Sequence, residues 1–227
     1  MLFIIDKKLP AEAKDNLKNF GVVIELETEG ITDSYLSGHP DIFFCKTKNG
    51  LVAAPNLPQK YFDVLNEHKI EFTVGDKSVK KGYPDCAVYN AVATDDFLIH
   101  KTELTDNEIK NIYSSNNIVN VPQGFTRCNL IEIKPNVFIT SDKSIYNSLK
   151  KISDILYVNP ESIILPDVKY GFFGGTCGMF DDKLFICGSL SKYADGAFVK
   201  EFVEKQNIEI IQLYEGQLFD GGSILIL

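Results

Sequence analysis

Residues Leu2-Phe3-Ile4-Ile5 form a short apolar stretch, and similar stretches recur four more times along the chain. The other copies are Leu51-Val52-Ala53-Ala54, Phe97-Leu98-Ile99-His100, Val137-Phe138-Ile139-Thr140 and Leu184-Phe185-Ile186-Cys187. Short apolar runs that end at a turn are typical of buried β-strands. Equivalent residues of successive copies lie about 45 residues apart, and a period of this size indicates a repeat protein. The sequence therefore predicts five similar units.

A segment with the features of a helix follows each copy. These segments cover residues 10–20, 58–68, 105–115, 141–153 and 194–206. Pro10 and Pro58 suit the first turn of a helix, where a missing N–H group leaves no hydrogen bond unmade. Thr105 and Glu108 have the spacing of a capping box, which predicts that Thr105 caps the third helix.

An apolar run then follows each predicted helix. These runs cover residues 22–26, 70–74, 118–121, 155–158 and 208–213. Strands that are buried on both faces have continuous rather than alternating apolar sequences. The runs are therefore predicted to be the inner strands of the units.

A polar segment precedes the recurring stretch in every unit. Aligning the five segments places Asp41, Asp85, Arg127, Gly175 and Gly221 in one column. Because the column has the same position in every unit, its members are predicted to surround a shared site.

The last unit is incomplete, since residues 223–227 supply only one strand. Its second strand is predicted to be the N-terminal stretch, and this pairing would remove a free sheet edge. The predicted fold class is therefore α/β: five ββαβ repeats in a pseudo-fivefold ring, an α/β propeller with a central channel, closed by its N- and C-terminal strands. It forms one domain over residues 1–227. A doubly wound open sheet is the alternative, but it gives no reason for the fivefold period.

The net charge and the lengths of the apolar runs indicate which classes of partner the protein is expected to have. The formal net charge is −8 at pH 7 and is spread along the chain, which disfavours nucleic acid. The first apolar run is too short for a signal peptide, and no later run approaches the length that spans a bilayer. We therefore expect a cytoplasmic protein with a small-molecule ligand in the central channel and no nucleic-acid or membrane partner.

The cysteines give no sign of a disulfide framework or a metal centre. They are Cys45, Cys86, Cys128, Cys177 and Cys187. Their number is odd and none forms a CxxC pair, so the sequence predicts free thiols, no metal site and no cofactor.

Three sequence strings carry a resemblance to a known fold. They are Gln-Gly-Phe-Thr-Arg-Cys-Asn at 123–129, Tyr-Gly-Phe-Phe-Gly-Gly at 170–175 and Asp-Gly-Gly-Ser-Ile at 220–224. With the five units, they resemble the pentein, or guanidine-modifying-enzyme (GME), fold superfamily, and most closely an uncharacterised bacterial family of that fold. The superfamily includes arginine deiminases, dimethylarginine hydrolases, amidinotransferases and a ribosome anti-association factor. The resemblance implies the fold of the whole chain and leaves the chemistry open.

The resemblance also implies a catalytic pattern from which this sequence departs. Enzymes of the superfamily use a cysteine thiolate in the last unit, a histidine that transfers protons and two carboxylates that hold the guanidinium group. Here Ser223 follows the glycine turn, and no cysteine occurs after Cys187. The usual nucleophile is therefore missing.

The candidate site residues come from the aligned column and its neighbours. The ligand-binding candidates are Asp41, Asp85, Arg127, Gly175 and Asp220. Arg127 is the only arginine of the chain, and its planar guanidinium suits a carboxylate. Cys128 is the candidate nucleophile because a neighbouring cation lowers the pKa of a thiol, and His39 is the candidate acid and base. Asn90, Glu132 and Glu215 flank the aligned segments as secondary candidates.

Two functions are open at this point. The first is binding of a small polar ligand, amino-acid-like or guanidino, in the channel without catalysis. The second is a thiol-dependent guanidino-group hydrolase or an amidinotransferase-like enzyme that uses Cys128. The missing C-terminal cysteine favours the first.

Overall fold

The computed structural model describes residues 1–227 and contains five three-stranded sheets. The strands are β1 (Leu2–Asp6), β2 (Val22–Leu26), β3 (Phe44–Thr47), β4 (Gly50–Ala53), β5 (Phe72–Val74), β6 (Val92–Ala93), β7 (Leu98–His100), β8 (Ile118–Asn120), β9 (Leu130–Lys134), β10 (Val137–Thr140), β11 (Asp154–Tyr157), β12 (Cys177–Phe180), β13 (Lys183–Ile186), β14 (Glu209–Gln212) and β15 (Leu225–Ile226). The α-helices are α1 (Ala11–Leu17), α2 (Pro40–Phe43), α3 (Gln59–Glu67), α4 (Asn107–Lys110), α5 (Thr126–Asn129), α6 (Lys143–Leu149) and α7 (Gly196–Glu204).

All five sheets are built in the same way. Their strand orders are β15-β1-β2, β3-β4-β5, β6-β7-β8, β9-β10-β11 and β12-β13-β14. In each, the middle strand is antiparallel to the first strand and parallel to the third. A parallel pair needs a crossover connection, and the helix between the second and third strands supplies it. The α/β class and the five repeated units are therefore confirmed.

The two ends of the chain share one sheet, as the repeat predicts. Phe3 pairs with Ile226 in antiparallel register. The Leu2 N–H donates to the Leu227 carbonyl at 2.8 Å, and the Leu227 N–H donates back to Leu2 at 2.9 Å. The C-terminal residues thus complete the sheet that the N-terminal residues begin.

The runs predicted to be inner strands are instead the exposed ones, so that prediction is wrong. Val22 in β2 and Val74 in β5 are 48% and 46% exposed, whereas every residue of β1 is buried. The first strands of neighbouring sheets pack against one another, and the middle strand separates each third strand from that contact. The third strands therefore lie at the outer edges, with their helices beside them.

Helix α4 lies within the third predicted helical segment, residues 105–115, and is shorter than that segment. It has four residues, and the carboxylate of Asp106 caps it by accepting the Glu108 N–H at 2.9 Å. The Thr105 hydroxyl is not the cap because it bonds to Nδ1 of buried His100 at 2.7 Å. No helix of the structure has both the length and the apolar character needed to cross a membrane.

Aromatic packing joins the first and last units. Phe185 in β13 meets Phe3 in β1 edge-on, with ring centroids 5.5 Å apart, and it meets Phe20 at 5.1 Å. Phe3 and Phe185 are completely buried. Edge-to-face pairs add stability beyond the burial of their area, so this cluster couples sheets that are distant in sequence.

We expect Phe185→Ala to lower the free energy of unfolding by about 3–5 kcal/mol, because it leaves a cavity between two sheets. Urea unfolding of the variant measures the loss. Phe198→Ala is the matched control, since Phe198 is 63% exposed and its replacement should change stability by at most about 0.5 kcal/mol. Equal losses in the two variants would contradict this description of the core.

Candidate functional site

A cavity of about 290 Å³ lies where the first strands of all five sheets come together. Its wall includes residues of β3, β6, β9, β12 and β15. The charged residues of the wall are Asp41, Lys46, Lys48, Asp95, Arg127 and Glu132. The cavity therefore offers both acidic and basic groups to a ligand.

Short helical turns place the aligned residues directly before the first strands. Asp41 lies in α2, immediately before β3, and Arg127 lies in α5, immediately before β9. Gly175 lies in a 3-10 turn, Gly174–Thr176, immediately before β12. The alignment thus identified equivalent positions in these three units.

Asp41, Cys128 and Asn90 form a buried hydrogen-bonded group. The Cys128 thiol donates to Asp41 Oδ2 at 3.1 Å. Asn90 fixes this pair from both sides, because its amide nitrogen lies 3.1 Å from Cys128 Sγ and its amide oxygen accepts the Cys128 N–H at 3.1 Å. Three units of the fold meet in this group.

His39 lies beside the same group. Its Nε2 is 3.7 Å from Asp6 Oδ2, and its Nδ1 has no hydrogen-bond partner. His39, Asp41 and Cys128 each have one possible metal-ligand atom within 4.8 Å of those of the other two. The structure therefore brings together both catalytic candidates and one ligand-binding candidate.

A glycine turn before β15 packs against His39. Gly222 has a φ of +65°, and a methyl group at its α-carbon would overlap the His39 side chain. The Gly222 carbonyl also accepts the Asp41 N–H at 3.1 Å. Only glycine combines this backbone conformation with such a close approach.

Asp220 and Gly175 lie next to each other outside the cavity wall. The Asp220 carboxylate accepts the N–H groups of Phe172 and Gly222 at 2.8 and 2.9 Å. A side chain at Gly175 would overlap this carboxylate. Gly175 therefore provides the space that Asp220 occupies.

Asp85 does not join the other candidates. Its side chain is exposed and lies 3.9 Å from Lys80 Nζ. The first strand of its unit begins only at Val92, so Asn90 rather than Asp85 occupies the place before the strand. The alignment was out of register in this unit because Asp85 lies further before its first strand than Asp41 lies before β3.

Asp6 is the site residue that the sequence interpretation missed. It ends β1, an otherwise apolar and fully buried strand, and is itself 1% exposed. A charged residue at the end of such a strand is unusual and is the signal that could have identified it.

Burial sets the protonation of the site. It raises the pKa of Asp41 and of Asp6 to about 6 and that of Asp220 to about 7, and it lowers the pKa of His39 to about 3. The imidazole is thus neutral, and the three carboxyl groups resist ionisation together.

The sequence predicts a lowered pKa for the Cys128 thiol, whereas the structure gives a raised one. Burial raises the pKa of its thiol well above the usual value, and the nearby carboxylate of Asp41 raises it further. The Arg127 guanidinium donates instead to the carbonyls of Gly174 and Cys177, at 2.7 and 3.0 Å. Adjacency in sequence therefore did not give the thiol a dominant cationic neighbour.

Glu132 is a partly buried carboxyl on the cavity wall. Burial raises its pKa from the usual 4.5 to about 7. Its Oε1 accepts the Asn136 N–H at 3.1 Å, which lowers the pKa only in part. Glu132 therefore changes charge near neutral pH.

Comparison with known proteins shows which family model and which solved structures this chain resembles. The model of a family described as "Family of unknown function (DUF6873)" matches residues 4–225, and no curated protein matches the chain. A solved structure of C. jejuni agmatine deiminase with substrate bound is 13% identical, with a TM-score of 0.56 over 93% of this chain and 78% of that one. SxtG, an amidinotransferase from Microseira wollei, is 13% identical, with a TM-score of 0.55 over 89% and 78%.

A third similar structure is DDAH from Pseudomonas aeruginosa complexed with citrulline. It is 6% identical, with a TM-score of 0.51 over 93% of this chain and 91% of that one. All three structures have the pentein fold, so the resemblance inferred from the sequence is confirmed. Identities this low establish the fold alone.

We expect Cys128 in the native protein to be alkylated far more slowly than a free thiol, because its raised pKa leaves little thiolate and its side chain is buried. Mass spectrometry of the modified peptides at neutral pH measures the rate. The same protein in urea is the control and should react at the rate of an ordinary cysteine. Faster reaction of Cys128 in the native than in the unfolded protein would contradict the assigned environment.

We expect Glu132→Gln to become more stable relative to the wild type as pH rises from 4.5 to 7. The folded state holds the Glu132 proton more tightly than the unfolded chain, so the contribution of this group to stability is lost as pH rises through its folded pKa. Urea unfolding at a series of pH values measures the difference. Glu215→Gln, at an exposed position, is the control, and a difference for Glu132→Gln that is independent of pH would contradict the assignment.

Proposed function

The chain belongs to the DUF6873 family, a family of unknown function, and we propose that it binds a small zwitterion, amino-acid-like or guanidino, in the cavity between the first strands. The ligand is bound without being changed. The observation that carries this proposal is the presence of opposite charges around one cavity of about 290 Å³. Pockets of this size and kind are typical of small-molecule sites.

Arg127 is the proposed partner of the ligand carboxylate. Two of its N–H groups are used by backbone carbonyls, which fix the plane of the guanidinium. An arginine side chain has five N–H donors, so others are left for an anion. Because its orientation is set in advance, little side-chain entropy is lost when a carboxylate binds.

Glu132 is the proposed partner of the cationic group. It lies on the same cavity wall as Arg127 and becomes ionised near neutral pH. Names of similar structures agree with this choice, since they include an agmatine deiminase, an amidinotransferase and a complex with citrulline. A cationic amine or guanidinium at Glu132 and a carboxylate at Arg127 define the ligand class.

The environment of Cys128 weighs against thiol catalysis. Its thiol is not among the atoms that line the cavity, it donates a hydrogen bond to a carboxylate, and its pKa is raised. A nucleophilic cysteine needs a lowered pKa and access to its substrate. We therefore place no bond-breaking step in the proposed function.

We also propose that the five sheets close into the ring expected from the repeat. Support comes from the shared cavity, which all five first strands line, and from packing between consecutive first strands. The pairing of β15 with β1 adds the last unit to the first. The cavity is then the central channel of an α/β propeller.

Calorimetric titration with arginine, agmatine and citrulline tests the ligand class. Arginine carries both charged groups, agmatine lacks the carboxylate and citrulline lacks the side-chain cation. We expect arginine to bind most tightly. Arg127→Lys should weaken arginine binding at least about 10-fold and leave agmatine binding nearly unchanged, because a bidentate contact to the carboxylate is lost. Glu132→Gln should weaken arginine and agmatine more than citrulline.

Asp85→Asn is the control, since Asp85 is an exposed carboxylate outside the cavity. Each ligand is recovered after incubation and analysed by mass spectrometry, with unchanged ligand expected. Failure of all three ligands to bind would contradict the proposal. Equal weakening of arginine and agmatine by Arg127→Lys would contradict the assigned orientation.

A further inference from the structure

Three side chains that suit a transition metal meet in the interior beside the cavity. They are His39, Asp41 and Cys128, each at most 2% exposed, and one donor atom of each lies within 4.8 Å of the others. In a tetrahedral zinc site with bonds of about 2.0–2.3 Å, the ligand atoms lie roughly 3.3–3.8 Å apart. Small side-chain rotations would therefore bring the three atoms around one ion.

Two of these residues carry polar atoms with no hydrogen-bond partner. They are His39 Nδ1 and Asp41 Oδ1, and both atoms are buried. A buried polar atom without a partner is destabilising, and native structures contain few of them. Both belong to the cluster of His39, Asp41 and Cys128, which therefore contains a nitrogen and an oxygen with unused electron pairs.

The surroundings of His39 match those of a metal-bound imidazole. Its Nε2 faces the Asp6 carboxylate at 3.7 Å, which leaves Nδ1 as the free coordinating atom. Metal-bound histidines commonly direct their second ring nitrogen at a carboxylate, which orients the ring and increases its basicity.

The buried carboxylates around the cluster also favour a bound cation. Asp6, Asp41 and Asp220 are all buried around this cluster. Of the groups that most affect the pKa of Asp41, only Arg127 is a cation. Buried carboxylates are normally paired with cations or bound to metals. Lys8 and Lys14 act on Asp6 in addition, and a divalent ion at the cluster would place positive charge directly beside Asp41.

We propose that His39, Asp41 and Cys128 bind a divalent transition ion of the zinc class. Nitrogen, oxygen and sulfur donors together favour such an ion over magnesium or calcium. On binding, the S–H bond of Cys128 breaks, a sulfur–metal bond forms, and the proton now shared with Asp41 leaves to solvent. The sequence predicts no metal because the three residues come from two different units and have no regular spacing. The site does not depend on the proposed ligand-binding function.

Cobalt(II) is the probe, because a cobalt–thiolate bond absorbs in the near ultraviolet and tetrahedral cobalt absorbs strongly in the visible. The full chain is first freed of metal with a chelator. Because the cluster is buried, cobalt is added to the native protein and, separately, during refolding from urea. We expect one equivalent to give both absorptions and zinc to abolish them. Absence of the thiolate absorption under both conditions in the wild type would overturn the proposal.

Cys128→Ser should abolish the thiolate absorption, and either this change or His39→Gln should weaken zinc binding at least about 100-fold in a chelator competition. Cys86→Ser is the matched control, since Cys86 is a buried thiol outside the cluster, and it should bind cobalt like the wild type. A thiolate absorption that persists in Cys128→Ser overturns the proposal. Arg127→Lys should keep the cobalt spectrum while losing arginine affinity, so the two proposals fail separately.

Discussion

Each unit of this protein buries its first strand only because neighbouring units supply the surface against which it packs. A segment of about 45 residues is too small to form a stable core by itself. The first strands meet one another around a shared space, and the helices cover the outer side of the sheets. The stability of one unit is therefore inseparable from the presence of the next, and the shared space follows from the same packing.

Polar contacts at the cavity also connect units. Asn90 of the third unit holds Cys128 of the fourth, and Cys128 donates to Asp41 of the second. Arg127 of the fourth unit reaches the carbonyls of Gly174 and Cys177 in the fifth. Asn90, Asp41 and Cys128 are buried, so their hydrogen bonds are costly to leave unmade. The residues of the candidate site are thus also residues that connect the units, which explains why most of them are deeply buried.

The repeat was readable from sequence because strand, helix and strand recur with a nearly constant period and have clear local signals. The pairing of the N-terminal strand with the C-terminal strand followed from the same periodicity. Burial of whole strands was harder to predict, because an apolar run on an outer edge looks like one in the interior. Asp85 was misplaced because Pro84-Asp85 resembles Pro40-Asp41 in sequence but lies further before the first strand of its unit. The pKa of the Cys128 thiol depends on its burial and on Asp41, which is distant in sequence, and neither could be weighed before the fold was known.

The sheet shared by the two termini also constrains how the protein is made. While the chain leaves the ribosome, β1 can pair with β2 as soon as both have emerged, but its other edge stays open until the final strand is synthesised. Exposed strand edges invite pairing with other chains, and long-range contacts of this kind slow folding. Every molecule therefore passes through a stage in which its first sheet is vulnerable to aggregation, and the pairing of β15 with β1 ends that stage.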